Sequence, residues 1–175
     1  MTHDQPGPAA IPPETASGVT LEAVDDFATL LQHGRRLIGI DLGTKTIGLA
    51  LSDVSRTIAT PLETIKRVKF TPDAARMLAI AAEHSIVGFV LGLPVNMDGT
   101  EGPRAQATRA FARNINKLSQ IPILLWDERL STAAAQRTLL EADATRKRRA
   151  EVIDKMAAGI ILQGALDRMR HGTTV

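Results

Sequence analysis

Eight consecutive residues, Ile86-Val87-Gly88-Phe89-Val90-Leu91-Gly92-Leu93, carry no polar side chain and stop against Pro94. A run so apolar does not suit an edge strand, and it is far shorter than the ~20 residues of a membrane-spanning helix. It predicts a strand buried in the middle of a sheet, with helices covering the sheet faces.

The neighbouring segments supply the rest of such a sheet. Leu37-Ile38-Gly39-Ile40 and Ile47 to Leu51 flank the turn Leu42-Gly43-Thr44-Lys45 and predict a β-hairpin. Pro61 to Val68 reads as a third strand, Pro72 to His84 as an Ala-rich helix, Pro103 to Leu118 as a second helix and Ile121 to Trp126 as another buried strand. Helices from about Ser131 to Glu141 and from Glu151 to Met169 follow. A hairpin succeeded by alternating strands and helices gives an α/β fold, a mixed β-sheet flanked by α-helices. Leu21, Val24, Phe27, Leu30 and Leu31 recur at helical spacing, so residues 20–34 are expected to form a short helical extension beside a domain spanning 35–170. Residues 1–19, with Pro6, Pro8, Pro12 and Pro13 and few large apolar groups, are expected to be a disordered tail.

Composition narrows the function classes. A chain of 175 residues, 44% hydrophobic, suits one catalytic domain. The absence of cysteine excludes disulfides, thiolate metal sites and a cysteine nucleophile, and it fits a reducing cytoplasm. The N-terminus lacks the basic-then-apolar pattern of a secretory signal, so a soluble cytoplasmic protein with no membrane partner is expected. The pI of 9.3 leaves room for a polyanionic partner. With four Phe, one Trp and no Tyr, the chain is poor in the aromatics that stack successive bases, so a nucleic acid would be gripped by backbone and shape.

Acids stand where the apolar runs end. Asp41 closes one run and Asp127-Glu128 another; if those strands are neighbours, their acids converge at one edge of the sheet, where α/β folds place ligands. Singly, each has a plainer alternative: Asp41 as a turn former ahead of Gly43, Glu128 as a surface partner of Arg129. Asp154 lies near the N-terminal end of an apolar, small-residue helical segment, where the helix dipole alone favours a carboxylate. Together, three acids at element ends, with no Cys and only the scattered His3, His33, His84 and His171, point to Mg²⁺ or Mn²⁺ rather than zinc.

Four segments, Leu37 to Asp53 (LIGIDLGTKTIGLALSD), Val90 to Gly102 (VLGLPVNMDGTEG), Trp126 to Thr132 (WDERLST) and Ile153 to Gln163 (IDKMAAGIILQ), resemble in order and spacing the signature segments of the YqgF (RuvX) family. The resemblance runs from about Arg35 to Met169. It implies a ribonuclease H-like fold in which Asp41, Glu128 and Asp154 match the family's catalytic, metal-holding acids. It also implies a nuclease that matures the 5′ end of precursor small-subunit ribosomal RNA, with possible ribosome association; some members were proposed to resolve Holliday junctions, which makes branched DNA the alternative substrate. Thr46 stands where many members carry Arg.

Several further residues are candidates for holding substrate. Lys45 lies in the hairpin turn, and Asn96, with Asp98, lies in the turn-rich segment after the central strand. Arg129 is placed either to meet phosphate or to hold Glu128, while Ser131 or Thr132 suits a helix cap better than a nucleophile. The tract Arg146-Lys147-Arg148-Arg149 precedes the expected last helix, where positive charge opposes the helix dipole; a phosphate contact or a solvated loop explains it. Two rival functions stand beside the nuclease. Gly39 to Thr44 also resembles the first phosphate loop of actin-like ATPases, which need two such domains, and a non-enzymatic nucleic-acid-binding assembly factor would keep the same fold. A P-loop is excluded because Leu49-Ala50 follows Gly48 in place of Lys-Ser/Thr.

Overall fold

The computed structural model describes residues 17–131 and 146–172. Six strands form one sheet: β1 (Thr20–Leu21), β2 (Arg36–Leu42), β3 (Thr46–Ser52), β4 (Ala59–Lys66), β5 (Ile86–Leu93) and β6 (Ile123–Asp127). Their order across the sheet is β1-β6-β5-β2-β3-β4. The hairpin β2–β3 and its continuation to β4 are antiparallel, whereas β5 runs parallel to β2, and β6 parallel to β5. The apolar run 86–93 is therefore central, lying between β2 and β6 as its composition demands.

Alternation along the strands builds two cores. Ile38, Ile40, Phe89, Leu91, Ile123 and Leu125 face α2 (Phe70–Glu83) and α3 (Pro103–Asn116). Leu37, Val90, Leu124 and Trp126 face the other way, toward α1 (Val24–Thr29) and α4 (Arg146–Gly172). Successive residues of a strand point to opposite faces, so each strand serves both layers.

Helix α4 lies unusually close to the sheet because its floor is glycine. A Cβ on Gly39 would stand 2.6 Å from the Leu162 Cβ, and one on Gly92 2.5 Å from the Ile161 Cδ1. At Gly48 it would meet the backbone carbonyl of Asp154 itself. Ala157, Ala158 and Ala165 give the helix a matching small face, which is the close approach its composition predicts.

Three expectations need correction. Thr20 and Leu21 are strand, not helix: they pair parallel with Ile123 and Leu124, and the Ile123 N–H reaches the Val19 carbonyl at 2.9 Å. Without β1, strand β6 would end the sheet with a row of unmatched backbone groups. The helical spacing holds for Val24, Phe27 and Leu31, but Leu30 is 53% exposed. Second, β2 and β6 are not neighbours, since β5 separates them. Third, the last helix already includes Arg146, so the basic tract sits within its N-terminal end rather than ahead of it. Of the tail expected over 1–19, Gly18 and Val19 are instead held in place, the Gly18 N–H donating to the Asn116 carbonyl at 2.9 Å and the Val19 carbonyl accepting from Ile123; residues 1–16, and residues 132–141 of the helix expected over 131–141, lie outside the described residues.

Candidate active site

The ends of β2, β5 and β6, the start of β3 and the end of β4 all lie at one end of the sheet, and the acids gather there. Asp41 is part of β2, not of the turn; it pairs with Gly48 of β3 and is only 2% exposed. It shares the face of Leu37 and Gly39, the face covered by α4. The turn is closed instead by the Gly43 N–H, which donates to the Thr46 carbonyl at 2.9 Å.

Asp154 comes down onto the same face from α4. It lies eight residues after Arg146, more than two turns into the helix, so the dipole that acts on a first turn does not explain it. What holds it is Thr46, whose buried hydroxyl donates to the Asp154 Oδ2. Glu128 opens the 3-10 turn Glu128–Leu130 immediately after β6. Its carboxylate lies over β5, with Oε1 only 2.7 Å from where a Cβ on Gly92 would be. The intervening strand thus separates β2 from β6 without a side chain that would keep Glu128 from the α4 face.

Arg129 is turned away from the role of Glu128's partner. Its guanidinium donates to both oxygens of Asp127, from Nε at 3.1 Å to each and from Nη2 at 2.7 Å to Oδ2. That bond holds the Asp127 carboxyl below the usual carboxylate range and raises the arginine. Ser131 donates to the Glu128 carbonyl at 3.1 Å, closing this turn. Beside Asp127 and Arg129 a cleft of about 280 Å³ opens, bordered by Leu93, Val95 and Arg109.

The other candidates differ in how close they come. Lys45 is exposed at the hairpin tip, at the acids' end of the sheet. Asn96 belongs to a loop that bonds to itself: its N–H reaches the Thr100 carbonyl at 2.9 Å and its Nδ2 the Thr100 hydroxyl at 3.0 Å. Asp98 accepts from the Thr100 hydroxyl at 2.6 Å, which lowers its pKa. Arg146, Lys147 and Arg148 belong to α4 by backbone, while their side chains lie outside the described residues. Among the described residues no three His, Cys, Asp or Glu form a ready-made cation cage.

Thr46 and the glycines 48 and 92 are the site-shaping residues that sequence reasoning misses.

This arrangement, a mixed six-stranded sheet flanked by helices with its acids at one end under a long C-terminal helix, defines the class as an α/β protein with its site at the strand ends. The RuvX family, described as Holliday junction resolvase, matches residues 35–168, and the chain belongs to that family. It is 65% identical over 148 residues to a Rhodobacter capsulatus protein named "Putative pre-16S rRNA nuclease", covering 85% of this chain and 93% of that one. A Ruegeria protein of the same name is 62% identical over 150 residues, covering 86% of this chain and 96% of the relative. Among solved structures, T. thermophilus RuvC in complex with Holliday junction substrate is similar at 15% identity with a TM-score of 0.49, over 79% of this chain and 97% of that chain.

Proposed function

We propose that the chain is a divalent-metal-dependent nuclease that hydrolyses phosphodiester bonds at the 5′ end of precursor 16S ribosomal RNA, acting in the cytoplasm and in association with ribosome assembly. The observation that carries the reading is the placement of Asp41, Glu128 and Asp154 on one face at one end of the sheet, although they come from three different elements. Buried carboxylates are costly unless a proton, a donor or a cation compensates them. Relatives above 60% identity that bear the name of a pre-16S rRNA nuclease favour RNA over the branched DNA of the family description.

The donor chemistry fits a hard cation. The three acids offer only oxygen, and this suits Mg²⁺ or Mn²⁺. Asp41 would supply the fixed ligand, because β2 and β3 leave it no freedom to swing away, and Glu128 and Asp154 would complete the oxygen set. A cation held there supplies an activated water and charge stabilisation at the leaving oxygen, so no covalent nucleophile is required. Thr46 sets the rotamer of Asp154. Lys45, Asn96, Arg129, Arg146, Lys147 and Arg148 serve substrate rather than chemistry.

The test is cleavage of an end-labelled precursor 16S leader RNA and, in parallel, of a four-way DNA junction, each with Mg²⁺, Mn²⁺ or EDTA. RNA cleavage abolished by EDTA is the expected outcome. Cleavage of the junction alone would transfer the assignment to recombination, and cleavage of neither would favour the non-enzymatic binding factor.

A further inference from the structure

Among the described residues, the surface beside the acids carries positive charge with no ion-pair partner. Register pairs Thr46 with Lys66, and the Arg67 N–H donates to the Lys45 carbonyl at 2.9 Å, so Lys45, Lys66 and Arg67 meet at one corner of the sheet. Lys69 follows as the N-cap of α2. All four are exposed. Among the described residues none of them has a carboxylate at ion-pair distance. The two acids nearest in sequence to Lys66, Arg67 and Lys69 are already engaged: Glu63 pairs with Arg76 at 2.7 Å, and buried Asp73 receives the Val68 N–H on both oxygens.

Edge protection is the plain explanation for lysine here, since β4 is the last strand of the sheet. It accounts for little of the pattern. Ala59 to Ile65, the length of the edge, holds neither Lys nor Arg and is already interrupted by Pro61, while the charges cluster at and beyond the strand's end. Arg67 is also oriented, its Nη1 donating to the Gly43 carbonyl at 2.6 Å. A guanidinium has five donors, so that bond fixes the group and leaves the others for an anion.

We propose that Lys66, Arg67 and Lys69, continuous with Lys45, form a track for the phosphate backbone of a single RNA strand leading to the acids past Thr46. The proposal rests on the nuclease reading above and adds the path by which the strand reaches the site. The track holds by charge, in keeping with the chain's scarcity of aromatics.

The test is the salt dependence of binding of a fluorescein-labelled single-stranded RNA to the full chain in an Asp41→Asn background, titrated with KCl. Each phosphate contact on a single strand contributes about 0.7 to the slope of log affinity against log salt, so Lys66→Gln/Arg67→Gln/Lys69→Gln should flatten it by about 2. Lys66→Gln/Lys69→Gln, which spares the Arg67 anchor to the hairpin, should flatten it by about 1.4. Arg104→Gln/Arg113→Gln/Lys117→Gln, on α3 and at its C-cap, removes the same charge elsewhere and should leave the slope unchanged. Parent-like slopes in both track variants, or equal flattening in the α3 variant, would overturn the track while leaving the nuclease reading intact. A parent that binds no RNA at any salt would overturn both.

Discussion

Thr46 and Asp154 are 108 positions apart in the chain, yet the hydroxyl of one fixes the carboxylate of the other. Thr46→Val keeps the volume and removes the donor; a hydrogen bond to a charged group is worth about 1.5–3 kcal/mol, so cleavage should fall roughly tenfold or more. Thr46→Ser should retain most activity. Equal rates for Val and Ser in single-turnover cleavage would deny the hydroxyl its role. A second carboxylate, Asp53, lies outside the site and reports on folding. It accepts from the Ser55 hydroxyl and from the N–H groups of Thr57 and Ile58, and its pKa is lowered from 3.8 to about 2. A depressed folded-state pKa gives stability that is present above the unfolded value and is lost as pH falls through the folded one. The melting temperature of wild type should therefore exceed that of Asp53→Asn at neutral pH, with the gap closing as pH drops from about 4 toward about 2. A gap that does not vary with pH would place the difference elsewhere than in the charge.

The active geometry at the scale of elements is set by how closely α4 approaches the sheet. Gly48 lies under the Asp154 backbone, so Gly48→Ala must push the helix outward or bend β3; overpacking of this kind costs about 1–3 kcal/mol. The urea midpoint should fall accordingly, and cleavage should fall with it because Asp154 moves. An unchanged midpoint would mean that the helix is not seated as described. The same elements show what could be read in advance. Strands β2, β3, β5 and β6 and helices α2 and α3 were legible because each repeats an apolar period over several residues, and β5 was located to the residue. Strand β1 was not, because two residues carry no period and its existence depends on the exposed flank of β6. Asp41 and Glu128 were visible as polar stops at strand ends, and Asp154 as a carboxylate in an apolar, small-residue helical segment. The glycines that let α4 and the Glu128 carboxylate approach the sheet, and the pairing of Arg129 with Asp127, arise only once strand order and helix crossing are fixed.

Across the whole molecule, the sheet has a chemical polarity. One end gathers Asp41, Glu128 and Asp154 together with Lys45, Lys66, Arg67 and Lys69, so negative charge for a cation and positive charge for a polyanion stand side by side. A net charge of only +2 is compatible with such a division, because recognition depends on where charge sits. The remaining basic residues are partly committed to structure, as with Arg109, which joins Glu22 and Glu101 at 2.5 Å each and so ties the segment after β1 to the start of α3. No described helix is long and apolar enough to cross a membrane.

The most direct measurement is the single-turnover cleavage rate of precursor 16S leader RNA in Mg²⁺ by wild type, Asp41→Asn, Glu128→Gln, Asp154→Asn and the triple variant. Residues that act as a unit are strongly non-additive, so each single change should lower the rate by about 10³ or more and the triple should be little worse. Wild-type cleavage by any one of the single variants would contradict a site built from these three acids.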